Sequence, residues 1–143
     1  MNLPEDDIRI FNDSLDQCVA NPRFMDIFYD KFIAAKSDIA ERFAGVDMAR
    51  QKRALKASLY SAMLAADGNP PAIEHLERLS ATHRDLAVTD EHYELWRECL
   101  IAAVKECGQT VDTRVERAWR GVLAVAIAIM QGKTVEIRGG AES

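Results

Sequence analysis

Apolar residues recur in this chain at intervals of three and four from one end nearly to the other, and nowhere alternate as they would along a half-buried strand. That pattern restricts the fold to helices packed against helices. Ile8, Phe11, Leu15 and Cys18 form the first stripe, behind Pro4. The stretch NPRF restarts the chain, since Asn21 suits a cap and Pro22 a first helical position. Phe24, Phe28, Phe32 and Ala35 follow on one face. Ser37 is expected to cap a short helix, SDIAERF, that ends near Gly45. Asp47 should cap a long one with Leu55, Leu59, Ala62 or Met63, and Ala66 inward. DGNPP breaks the chain again. Beyond it Ile73, Leu76, Leu79, His83 and Leu86 share a face, and Thr89 with Asp90 and Glu91 opens a helix. That helix carries Tyr93, Trp96, Leu100, Val104 and Cys107 and is expected to stop at Gly108. Asp112 opens the last helix, with Val115, Trp119, Val122, Ala126 and Ile129 inward. Six or seven helices of unequal length, joined by short loops and lacking heptads, predict an all-α crossed-helix fold rather than a bundle of uniform rods.

At 143 residues the chain is expected to be a single domain, 1–143, with a core over about 5–131 and a tail at 132–143. A formal net charge of −5 disfavours nucleic acid and anionic membranes as partners. The series ARQKRALK reads as a solvated helix face. The acidic start, MNLPEDDIRIF, lacks the pattern of a signal peptide, and GVLAVAIAIM is too short to span a bilayer. Cys18, Cys99 and Cys107 form no CxxC, zinc-type or CxxCH spacing, so they are expected to be reduced thiols in a cytoplasmic protein.

There is no glycine-rich phosphate loop, no GxSxG and no HExxH. The pairs Asp6–Asp7 and Asp90–Glu91 are explained by the helix dipole. Of three histidines, His75 and His92 are expected at the surface. His83 follows Leu79 by four and precedes Leu86 by three, so it points inward. An inward histidine is ordinarily a packed core residue. A buried neutral imidazole can instead bind a metal through one nitrogen while the other donates to a nearby acceptor, for which Thr82 and Leu79 are close in sequence. No second His, Cys or carboxylate shares its face, so a closed protein metal site is not expected. A lone imidazole suits a metal that brings its own equatorial ligands, as haem iron does.

Four segments taken in order carry a family resemblance. They are IFYDKF with Tyr29, ERF with Phe43, RQKRALKASL with Gln51 and Leu55, and LSATHRDLAVTDEHY with His83 and Tyr93. Over roughly residues 5–131 the chain resembles a globin of the bacterial single-domain and flavohaemoglobin type. The resemblance implies a globin fold of six to eight crossed helices around a haem pocket. It implies haem b, iron protoporphyrin IX, with His83 as the proximal iron ligand and Phe43 stacked on the porphyrin. Leu55, Leu79, Val88 and Tyr93 would also lie against the cofactor, whereas Phe28 and Phe32 read as plain core. Tyr29 and Gln51 would be the distal donors. Oxygen held by ferrous iron carries partial negative charge, which such donors stabilise.

Two departures matter. The linker between Phe43 and Gln51 is shorter than in flavohaemoglobins, which leaves Arg50 and Lys52 as alternatives at the distal position. Family members that dioxygenate nitric oxide couple the proximal histidine to a glutamate on the last helix; the nearest acid here, Glu136, lies beyond Gly132. No flavin- or nicotinamide-binding module is expected within the 143 residues. The resulting expectation is a globin that binds oxygen, and also NO and CO, at a pentacoordinate-capable iron. The alternatives are a nitric-oxide dioxygenase served by a separate reductase and a haem-free globin-fold sensor or adaptor.

Overall fold

The computed structural model describes residues 3–107 and 110–133, and within them the periodic stripes become seven α-helices with no strand. These are α1 (Glu5–Ala20), α2 (Arg23–Ala35), α3 (Ser37–Phe43), α4 (Met48–Ala66), α5 (Pro70–Asp85), α6 (Asp90–Glu106) and α7 (Thr113–Met130). Four starts are capped by side chains. Asp47 accepts from the Arg50 N–H at 3.2 Å, Asn69 from Ala72 at 3.0 Å, Thr89 from His92 at 3.2 Å and Asp112 from Val115 at 2.9 Å. Two expected starts differ in detail. Ser37 is the first helical residue of α3 and caps nothing; the chain enters the helix from extended Lys36. Pro22 stands just before α2, and Asn21 accepts from the Arg23 N–H at 3.0 Å. The expected stop at Gly108, and Glu136 with the tail from 134 onward, lie outside the described residues.

α7 is the spine. Ala118, Trp119, Val122, Leu123, Val125, Ala126, Ile127, Ile129 and Met130 are all buried, and the helix packs on α1, α4, α5 and α6. α2 packs on α6, α4 on α5, and short α3 lies against α2. At one end Trp119 sits 4.6 Å from Phe11 and 6.3 Å from Phe24 between ring centroids. Its indole N–H, fully removed from water, donates to Ser14 Oγ at 2.9 Å. That satisfies a group whose desolvation would otherwise oppose folding.

Several residues sit elsewhere than the stripes implied. Leu86 is 55% exposed, because α5 ends before it. Asp7 does stand in the first turn of α1, and it is also buried and pairs with Arg117 at 3.1 Å. Cys18 is buried, Cys99 and Cys107 are half-buried, and all three are free thiols. No helix among the described residues is long and apolar enough to cross a membrane.

Candidate functional site

At the end of the molecule away from Trp119 the core is not filled. A cavity of about 360 Å³ opens there, within the roughly 300–1,000 Å³ of small-molecule pockets. One wall comes from α5, α6 and the corner joining them, with Leu76, Leu79, His83, Val88, Tyr93 and Trp96. The facing wall comes from α2, α3 and α4, with Phe28, Tyr29, Phe32, Phe43, Gln51 and Leu55. Ala126 and Met130 of α7 also line it. The cavity therefore brings together Tyr29, Phe43, Gln51, Leu55, Leu79, His83, Val88 and Tyr93. Phe28 and Phe32, expected as plain core, are part of its wall as well as buried.

His83 is held from several directions. Its Nδ1 lies 3.1 Å from the Tyr93 hydroxyl, which donates onward to the Met130 carbonyl at 3.4 Å. With the single phenolic proton on Met130, the ring proton belongs on Nδ1 and the lone pair on Nε2. Nε2 has no hydrogen-bond partner among the described residues. The partner of Nδ1 is thus a tyrosine from the next helix, not Thr82 or Leu79, and Thr82 bonds to the Arg78 carbonyl instead. Burial holds the His83 pKa below its ordinary 6.5, so the ring is neutral at pH 7.

The end of α5 is pinned too. The Val88 N–H donates to His83 O at 3.0 Å and the Ala87 N–H to Arg84 O at 3.0 Å, with Ala87 at φ +58°. This is a Schellman ending built on alanine, where glycine is the favoured residue. Arg42 of α3 reaches across and donates to Leu86 O at 3.1 and 3.0 Å and to Ala87 O at 3.2 Å.

Opposite His83, the Tyr29 hydroxyl donates to the backbone carbonyl of Gln51 at 3.4 Å, a long contact. Burial pushes the Tyr29 pKa up to about 12, so the hydroxyl stays protonated and remains a donor. The ring is wedged edge-on between Phe28 and Phe43, at centroid distances of 4.8 and 5.6 Å. Gln51, and neither Arg50 nor Lys52, lines the cavity; Arg50 is exposed and Lys52 pairs with Asp26 at 2.5 Å.

Two histidines depart from their expected places. His92 is buried, not on the surface, and also lines the cavity. Its Nδ1 accepts from the Thr89 N–H at 3.0 Å, doing for α6 what a glutamate does in a capping box, and its Nε2 meets Asp38 Oδ2 at 2.9 Å. That contact holds the Asp38 carboxyl below its ordinary 3.8, with burial opposing and Lys36 and Arg42 assisting. His75 is half-buried, with Nδ1 2.6 Å from Ser61 Oγ. Sequence reasoning missed Arg42 and His92. The Thr89–His92 spacing was the available signal for the second; Arg42 had none, since its carbonyl partners lie far along the chain.

The Globin family model matches residues 26–130, from within α2 to the end of α7, and so spans every residue of the cavity wall. The chain belongs to the globin family. Flavohemoproteins of Bacillus thuringiensis subsp. konkukian, Bacillus cereus and Bacillus anthracis are 31% identical to this globin over 90 residues. Those residues are 61% of this chain and 22% of the relatives, so the match spans a minor part of their length. A crystal structure of a protein from Pseudomonas aeruginosa PAO1, described as structurally highly homologous to a human hemoglobin, aligns with a TM-score of 0.82 at 32% identity. The alignment covers 88% of this globin and 96% of that chain.

Proposed function

We propose that this globin binds haem b through His83 and holds oxygen, or another diatomic gas, beneath Tyr29 and Gln51. The observation that carries the reading is the state of His83. It is a neutral imidazole on the wall of an apolar cavity, with Nδ1 tied to Tyr93 and Nε2 free. No group of three or more His, Cys, Asp or Glu among the described residues could enclose a metal, so a metal at His83 has to bring its other ligands with it.

The rest of the wall fits a flat, largely apolar group. Phe43, Leu55, Leu79 and Val88 supply its faces, and Val46 and Leu86, both exposed at the rim, are apolar surface that such a group would cover. When bound, haem would supply a ferrous iron able to take up a diatomic gas reversibly. The chain's own contributions are then separable. His83 ligates, Tyr93 fixes the tautomer and plane of its ring, and the α5 ending with Arg42 fixes its backbone. Tyr29 presents a proton that at neutral pH it does not lose, beside the Gln51 amide. The buried phenylalanines keep water from competing for those donors.

The test is the visible absorption spectrum of the purified protein, ferric and dithionite-reduced, with and without added haemin, beside His83→Ala. A strong Soret band that the substitution weakens or shifts supports the reading. Failure of the wild-type protein to take up haemin overturns it.

A further inference from the structure

α4 differs from the other helices in its charge. Over Met48–Ala66 it contains Arg50, Lys52, Arg53 and Lys56 and no acidic residue, in a protein whose formal net charge is −5. Arg50, Arg53 and Lys56 are exposed, and their side chains have no ion-pair partner among the described residues. Local stability does not account for them. Arg50 stands in the first turn, where the dipole favours anions, while α1, α2, α3, α6 and α7 each carry an acid there; Arg53 and Lys56 follow at steps of three on the exposed side. On the same helix Gln51, Ala54, Leu55 and Ser58 line the cavity. The cations therefore stand about one helix diameter, some 10 Å, from it.

We propose that this cationic face of α4 is the docking surface for an acidic electron-transfer protein that reduces the metal site. The proposal rests on the haem reading above, because it supplies the electron such a site needs after oxidation. One electron passes from the reduced partner to the ferric iron; the partner is oxidised, and no bond or proton moves. The patch suits a small acidic protein better than a polyanion. From Arg50 to Lys56 the helix rises only about 9 Å, too short to track many phosphates. The surrounding surface repels an extended anionic face through the net negative charge. Complementary charge mainly accelerates encounter, so its signature is a salt-dependent association rate.

The test uses an acidic plant-type ferredoxin, kept reduced by NADPH and its reductase, as the probe. Binding to the purified protein is measured by NMR titration, and reduction of the haem-loaded ferric protein by stopped-flow absorbance. The variant is Arg50→Glu/Arg53→Glu/Lys56→Glu. Position 50 lies in the first turn, where an acid is favoured, and positions 53 and 56 are exposed, so the fold should be kept, which circular dichroism checks. Arg23→Glu/Arg114→Glu/Lys133→Glu makes the same change in net charge elsewhere.

The expected result is an association rate at low salt reduced by about tenfold or more in the α4 variant, with the salt dependence flattened. The control variant should stay near wild type, and reduction by a neutral small-molecule reductant should be unchanged in both. Equal losses in the two variants, or none in either, overturn the proposal. So does a patch that captures anionic vesicles or DNA but not the ferredoxin. Salt-dependent binding that only the α4 variant loses, in a protein that takes up no haem, would overturn the haem reading and leave the docking surface standing.

Discussion

The two ends of α2 and α7 are built from similar side chains put to different uses. At the first end Phe24 and Trp119 close on Phe11 with no space between them, and the one polar atom involved is bonded to Ser14. One to three turns further on, Phe28, Phe32, Ala126 and Met130 line about 360 Å³ of cavity, with the Phe28 and Phe32 rings stacked on each other at 5.3 Å. Side chains beside a gap forgo the dispersion contacts that packing would give them. The polar atoms there, on Tyr29, Gln51 and His83, are only partly satisfied. The difference teaches where this globin keeps its stability and where its chemistry. The fold rests on the filled end, and a ligand taken up at the unfilled end, as proposed above, should in turn stabilise the protein.

The hardest test of that division is Trp119→Ala. It should cost about 3–5 kcal/mol in urea unfolding of the ligand-free protein, as the loss of a fully buried large aromatic does elsewhere. His83→Ala, at the other end, should leave the ligand-free unfolding midpoint almost unchanged. It should instead weaken haem retention by more than about 100-fold, because loss of a ligand's supporting partner alone typically costs about 10–100-fold. A His83→Ala protein destabilised as much as Trp119→Ala would mean that the two ends are not distinct.

The division also describes what could be read in the sequence. The filled end was legible throughout: Phe11, Leu15, Phe24, Trp119 and Val122 follow helical spacing and are buried where that spacing puts them. Asp47, Thr89 and Asp112 were legible because a cap acts on residues two or three positions away. At the cavity the spacing from Leu79 and to Leu86 already turned His83 inward, whereas Tyr29 and Gln51 came from resemblance, since periodicity says which face a residue is on and not whether that face meets a gap. Leu86 failed because the helix ended one residue sooner than the stripe. His92 failed because its partners, Thr89 and Asp38, are an unusual cap and a residue from a distant helix. Contacts that span the chain, such as Arg42 with Leu86 and Tyr93 with Met130, leave no local trace.

Tyr29→Phe sharpens the comparison on a smaller scale. Its hydroxyl makes only a 3.4 Å contact to the Gln51 carbonyl, so removing it should change ligand-free stability by less than about 1 kcal/mol. If that hydroxyl instead donates to bound gas, its loss should speed oxygen release about tenfold, the equivalent of one hydrogen bond of roughly 1.4 kcal/mol. Flash photolysis or stopped-flow release measures this directly. An unchanged release rate would remove Tyr29 from the gas-binding role and leave it as part of the aromatic wall.

The smallest effect belongs to the surface bridge that ties α6 to α7. Arg120 grips both oxygens of Glu98, at 2.7 and 3.0 Å, and also Glu116 at 3.0 Å. The Arg120 guanidinium, helped by Arg97, holds the Glu98 carboxyl at about 2 against an ordinary 4.5, although burial works the other way. A carboxylate with a depressed folded-state pKa binds fewer protons when folded than when unfolded. Its contribution is therefore present above about pH 4.5 and fades as pH falls toward 2. Half-exposed ion pairs are worth little, so Glu98→Gln should cost under about 1 kcal/mol at pH 7. Its mark should be in the pH dependence: the fall in stability between pH 4.5 and 2 should be shallower in the variant, and neither Trp119→Ala nor His83→Ala should alter that slope. An acid limb identical in wild type and Glu98→Gln would show that this bridge is ornamental and that α6 and α7 are joined by their apolar faces alone.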